Sequence, residues 1–147
     1  MKRYALHDSV GYHATLAARL FERRLEAGLR RAGLGRLDWC VLLAVVEEGL
    51  SAPSDIAAFI GIDRTATSRA LRRMEAAGLV SRHAAAGDGR RTEVRASTEG
   101  RRRLDAAIPA GIENAAHFRA KLSDEEHATL LELLSRLRAG EGRVATF

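Results

Sequence analysis

Apolar residues recur at helical intervals over most of this chain, and the pattern turns to alternation in only one place. Between Ser9 and Arg31, the residues Leu16, Ala17, Leu20, Phe21, Leu25 and Leu29 fall between charged positions and predict a first amphipathic helix. Gly33 and Gly35 interrupt it. Asp38 is placed to cap a second helix that passes through Trp39, Leu42, Leu43, Val45 and Val46 and stops near Gly49. Pro53 suits the first turn of a third helix ending at Gly61, and Asp63 suits the N-cap of a fourth, from Arg64 to Ala77, closed by Gly78.

After Gly78 the period changes. Leu79 to Ala84 and Thr92 to Ser97 read as two short strands, joined by a tip from Ala85 to Arg91 in which Gly87 and Gly89 permit a sharp turn. Helical spacing returns from Thr98 to Phe118, with Pro109 expected to kink it. A last helix opens on a capping box, Ser123 with Glu126, and aligns Leu130, Leu131, Leu134 and Leu137. The order predicts a mainly α fold with a small β-hairpin, in a single domain of 147 residues. The first helix and the last two are long for the core that the middle of one chain provides. Their apolar stripes therefore predict packing against a second copy.

Composition agrees with packed helices: 46% of residues are hydrophobic but only 5% aromatic, so small Ala and Leu side chains must fill the core. No apolar run reaches membrane-spanning length and no hydrophobic leader opens the chain, so a cytoplasmic protein without a membrane partner is expected. The one cysteine, Cys40, lies between Trp39 and Val41 and reads as a packed, unreactive thiol. The five histidines form no HExxH or Cys-His metal set, and neither a phosphate-binding glycine loop nor a GxSxG elbow occurs. Enzyme chemistry and a bound cofactor thus find no support in the residues.

Charge changes the picture most. From Gly61 to Arg103 there are eleven Arg against five acids, a net +6, while 13 basic and 14 acidic groups elsewhere leave −1. The whole excess of +5 therefore originates in one segment, as expected of a polyanion-binding surface on a neutral scaffold. Helical phasing sharpens this. On the fourth helix Thr67, Ala70, Leu71 and Met74 share the side that packs on the third helix, leaving Thr65, Ser68, Arg69 and Arg72 as an outward stripe. Short hydroxyls let a helix sit close to base edges, and Arg bonds both O6 and N7 of guanine. Ser54, at the start of the third helix, and Arg64 and Arg73, at the edges of the stripe, are placed for phosphates of double-stranded DNA. On the hairpin, Arg90 and Arg91 stand ready for a minor groove, with Asp88 able to orient one guanidinium.

Two strings carry a family resemblance. RALRRMEAAGLVSR, residues 69–82, is similar to the end of a recognition helix followed by the pattern LE..GLV.R, and DGRRTEVRASTEG, residues 88–100, is similar to the wing pattern D.R.....LT..G. In the second, Asp88, Arg90 and Gly100 are in place, while Ala96 and Ser97 replace the usual Leu-Thr. The chain thus resembles the MarR family of bacterial winged helix-turn-helix regulators along essentially its whole length. The resemblance implies a winged-helix head over residues 36–100 and a helical dimerisation region made of residues 1–35 and 101–147. It also implies an obligate homodimer on a pseudo-palindromic operator, acting as a repressor that a small phenolic or other aromatic acid, or an oxidant, releases. Where such ligands bind, between the dimer helices and the head, the chain offers Tyr12, His13, Arg19 and Trp39. The family's peroxide sensors use a cysteine near the N-terminus, a place that Cys40 does not occupy. A non-specific architectural DNA-binding protein is the competing reading. It predicts equal affinity for all sequences and a steep salt dependence for each.

Overall fold

The computed structural model describes residues 5–85 and 88–142, with the side chains at 85 and 88–91 outside the description. A 3-10 turn at Leu6–Asp8 leads into α1 (Val10–Arg31), α2 (Arg36–Val46), α3 (Pro53–Ile60) and α4 (Arg64–Ala76). The hairpin β1 (Val80–Ala85) and β2 (Asp88–Ala96) follows, then α5 (Thr98–Arg119) and α6 (Asp124–Arg138). The mainly α fold with one antiparallel hairpin matches the order of elements expected from the sequence.

Two local expectations change. Asp38 is not the N-cap of α2: the helix begins at Arg36 with Gly35 as its cap, so Asp38 stands inside the first turn, where a carboxylate still favours the helix dipole. The strands also reach further than their alternation suggested. β1 runs to Ala85 and β2 starts at Asp88, so the tip shrinks from seven residues to positions 86–87, which lie outside the described residues. The register runs from Val80 opposite Ala96 to Ala84 opposite Thr92, then breaks so that Ala85 faces Asp88. The surplus residues of β2 are taken up at that irregularity rather than in an open loop. α5 continues through Pro109 as one helix.

One core holds these elements together. Leu29 of α1, Val41 and Leu42 of α2, Ile56 of α3, Leu71 and Met74 of α4, Val94 of β2 and Leu104 of α5 are all buried in a single cluster. Truncating one of these large side chains to Ala costs about 2–5 kcal/mol in comparable cores. The junction behind the hairpin is backbone-tight. Ser97 caps α5 by accepting from the Gly100 N–H at 2.9 Å, and its own hydroxyl donates to the Gly78 carbonyl at 2.6 Å. Gly100 then passes so close to the residue before β1 that a Cβ there would lie 2.1 Å from the Leu79 carbonyl oxygen. The Ser and Gly of the wing pattern are thus one joint, fixing α5 to the end of α4.

α6 is different. Its capping box is complete, with the Ser123 N–H donating to Glu126 and the Glu126 N–H to Ser123 Oγ, yet the helix has no buried residue. Leu130, Leu131, Leu134 and Leu137 are 42%, 55%, 39% and 58% exposed, and Leu16, Leu20, Phe21 and Ile112 on α1 and α5 are open as well. No described helix is long and apolar enough to cross a membrane.

Candidate nucleic-acid interface

α4 is set by its cap and its buried face. Asp63 accepts from the Ala66 N–H at 2.7 Å, and Thr67, buried to 1% exposure, donates its hydroxyl to the Asp63 carbonyl at 2.7 Å. That bond satisfies the one polar group on the inward face, where Thr67, Ala70, Leu71 and Met74 are all buried. The periodicity that buries them forces Thr65, Arg69 and Arg72 outward, with Ser68 half-buried beside them. Arg64 and Arg73 are exposed at the flanks, and Ser54 is exposed at the start of α3 with its hydroxyl 3.3 Å from Asp55 Oδ1.

Electrostatics sorts these groups. Arg64, Arg69 and Arg72 meet no carboxylate among the described residues. The only acid within α4, Glu75, is taken by Arg82 of β1: Nε and Nη2 donate to one oxygen at 2.8 and 2.6 Å, and the Arg82 backbone N–H donates to the other at 3.0 Å. Those bonds hold the Glu75 carboxyl below its ordinary range. The stripe therefore faces solvent as uncompensated positive charge. Arg73 is an exception, because its guanidinium is paired with Asp38 of α2. Neither the Glu75–Arg82 nor the Asp38–Arg73 contact has a local sequence signal, since the second joins residues 35 positions apart.

The hairpin is carried on the same body. The Val94 N–H donates to the Ser51 carbonyl at 2.8 Å, which ties β2 to the start of α3 and sets the wing beside the helix pair. Asp88, Arg90 and Arg91 belong to β2, but their side chains lie outside the described residues.

Of the four residues expected near an effector, two touch. Tyr12 and His13 are in ring contact, with centroids 5.5 Å apart, and His13 Nε2 meets the His7 carbonyl at 2.6 Å. Arg19 is exposed on α1, whereas Trp39 packs against Gly111 of α5, with its indole N–H buried and without an acceptor among the described residues. Cys40 is half-buried; burial raises its thiol pKa while Arg36, one turn earlier, opposes that shift.

A helix, a turn, a solvent-facing basic helix and a two-stranded hairpin, in that order and on one core, define a winged helix-turn-helix protein. A sequence model of the MarR family matches residues 32–91. YdgJ of Bacillus subtilis strain 168, an uncharacterised HTH-type transcriptional regulator, is 32% identical over 103 residues, 70% of this chain; the chain spans 62% of that relative's length. A probable transcriptional regulator from Pseudomonas aeruginosa superposes with a TM-score of 0.80 at 29% identity, over 90% of this chain and 99% of its own. BpsR of Bordetella bronchiseptica, whose DNA binding is regulated by 6-hydroxynicotinic acid, superposes with a TM-score of 0.84 at 18% identity, over 95% and 100% of the two chains. Over residues 32–91 the chain is thus similar to the MarR family, and its fold is that of winged-helix transcriptional regulators.

Proposed function

We propose that this protein is a sequence-specific transcriptional regulator that binds a pseudo-palindromic operator as a homodimer and represses by occupying it. The observation that carries the reading is the outward face of α4. It combines two hydroxyl residues, Thr65 and Ser68, with Arg69 and Arg72, which meet no carboxylate among the described residues, and its only acid is neutralised from behind by Arg82. Hydroxyls without charge add nothing to phosphate attraction and are useful at base edges, which favours base reading over binding by charge alone. Arg64, Ser54, Arg90 and Arg91 supply phosphate and groove contacts around that centre.

The dimer is supported by α6 and by the open apolar residues of α1 and α5. An exposed row of leucines on a helix with no buried residue is stable in water only if something covers it. A two-fold dimer would present two α4 helices to half-sites about one helical turn apart. Release by a small aromatic acid draws on relatives such as BpsR. Within this chain Trp39, whose buried indole N–H lacks an acceptor, is the expected effector residue best able to offer a bond.

Selection of bound duplexes from a random pool at about 150 mM salt, where non-specific phosphate binding is weakened, tests the reading. A palindrome should be enriched. Binding without enrichment would replace the regulator with a non-specific architectural protein.

A further inference from the structure

Arg72 has a carboxylate at pairing spacing on its own helix and does not use it. Glu75 stands three positions further along α4, where side chains of a helix surface meet. It also lies seven residues after Ser68, so the row that carries Ser68 runs straight onto an acid at the edge of the outward stripe. Left to itself, that acid would draw the Arg72 guanidinium back onto α4. Glu99 shows the outcome on α5, where its carboxylate takes both Arg102 and Arg103, three and four positions on. Yet Arg72 meets no carboxylate among the described residues.

The difference is Arg82. In the hairpin register it lies directly opposite Val94 and two residues after Val80, both of which are buried. Side chains alternate across a strand, so Arg82 shares the inward face of β1 and its guanidinium reaches the end of α4. Both Glu75 oxygens are then occupied: Oε2 accepts from Nε and Nη2, and Oε1 accepts from the Arg82 backbone N–H. Both residues of the pair are half-buried. To claim Glu75, Arg72 would have to displace a two-donor charged contact in exchange for an exposed pair along one helix, which is much the weaker bond.

We propose that Arg82 determines operator specificity without touching DNA: by occupying Glu75, it keeps the Arg72 guanidinium free for a base edge. Arg82 is thus a positioning residue that acts through Glu75. The inference rests on the reading that α4 reads bases.

Competition binding of the full chain between the selected operator and a scrambled duplex tests it. Arg82→Ala should lower discrimination by as much as Arg72→Ala does, about five- to 150-fold for one Arg–guanine pair. The two substitutions together should lose no more than Arg72→Ala alone, because they remove one contact. Adding Glu75→Gln to Arg82→Ala should restore wild-type discrimination: the amide has no charge to hold Arg72 and keeps an oxygen for the backbone N–H at position 82. Arg82→Lys, which retains the charge, should keep most of it. Unchanged discrimination in Arg82→Ala would overturn the proposal, and so would a loss that Glu75→Gln does not restore, the result expected of a direct DNA contact or a purely structural role. Should Arg82→Ala not fold, Glu75→Gln alone decides: it should discriminate as the wild type does, and a loss in the folded variant would make Glu75 itself the orienting group and overturn the proposal. A wild type without discrimination would sink the base reading of α4 and this inference with it, whereas a discriminating wild type without rescue sinks this inference alone.

Discussion

If the head binds DNA as proposed, the Asp38–Arg73 pair sets how many phosphates it holds, and its removal has a calculable effect. Moving Arg73 from Asp38 to a DNA phosphate exchanges one charge-assisted bond for another. It also leaves Asp38, whose side chain is only 17% exposed, unpaired and facing a polyanion. That exchange yields no net gain, so Arg73 is expected to stay on Asp38 in the complex. Asp38→Asn removes the competitor. Each added phosphate contact steepens the dependence of log K on log salt by about 0.9, which is about a 2.7-fold change in affinity over a threefold change in salt. The fold should survive, because a partly exposed pair contributes only about 0–1 kcal/mol. Fluorescence anisotropy with a labelled duplex at several salt concentrations reads the slope. Asp38→Asn should steepen it by about 0.9, Arg73→Ala alone should leave it unchanged, and the double variant should return to the wild-type slope. A wild-type slope that flattens by about 0.9 on Arg73→Ala would refute the reasoning, since Arg73 would then already be on a phosphate.

Other consequences are equally direct. Arg69→Ala and Arg72→Ala should each lose about 1–3 kcal/mol of discrimination between the selected operator and a scrambled duplex; unchanged discrimination in competition binding would remove that residue from base reading. Gly100→Ala forces a methyl group onto the Leu79 carbonyl and should cost more than about 1 kcal/mol in denaturant unfolding, because a backbone atom cannot swing aside; wild-type stability would show that the joint yields. Glu99 is held at about 2 by hydrogen bonds from Arg102 and Arg103. Its folded pKa is thus below the unfolded value, so its contribution is present above pH 4.5 and is lost as pH falls toward 2. An NMR titration of the Glu99 carboxyl with a midpoint near 4.5 would contradict that pairing. Leu134→Glu should convert a dimer to monomer in sedimentation velocity, and persistence of the dimer would exclude the α6 row as its interface.

What the sequence made legible were features that repeat within a turn or two. The buried and outward faces of α4, the Asp63 cap and the Ser123 capping box all depend on residues three or four positions apart. Features made by distant residues were hidden. Asp38 looks like a cap because it precedes an apolar run, but its partner is Arg73, far along the chain and brought near only by the packing of α2 on α4. The tip of the hairpin looked long because glycines at 87 and 89 mask the end of the alternation, whereas pairing resumes at Asp88. A cleft between α1 and α5 joins residues 20–31 to residues 110–121, and its existence depends on the close crossing of Gly28 and Ala110. No local pattern encodes such a crossing.

That crossing also bears on how the helical region and the head act on each other. Leu29 of α1 and Leu104 and Ala107 of α5 belong to the same buried cluster as Leu71 and Met74 of α4, so no solvent-filled seam divides the two regions. Packing therefore runs straight across the boundaries expected near residues 35 and 100. Ser97 and Gly100 hold the start of α5 against the end of α4, and Arg103 adds a bond from its guanidinium to the Gly33 carbonyl at 3.0 Å. A close-packed interior transmits displacement, because its side chains cannot shift without opening voids. A change in the angle of α5 must then carry α4 with it as one body. The position of α4 is set as much from the α1–α5 crossing as from its own turn with α3.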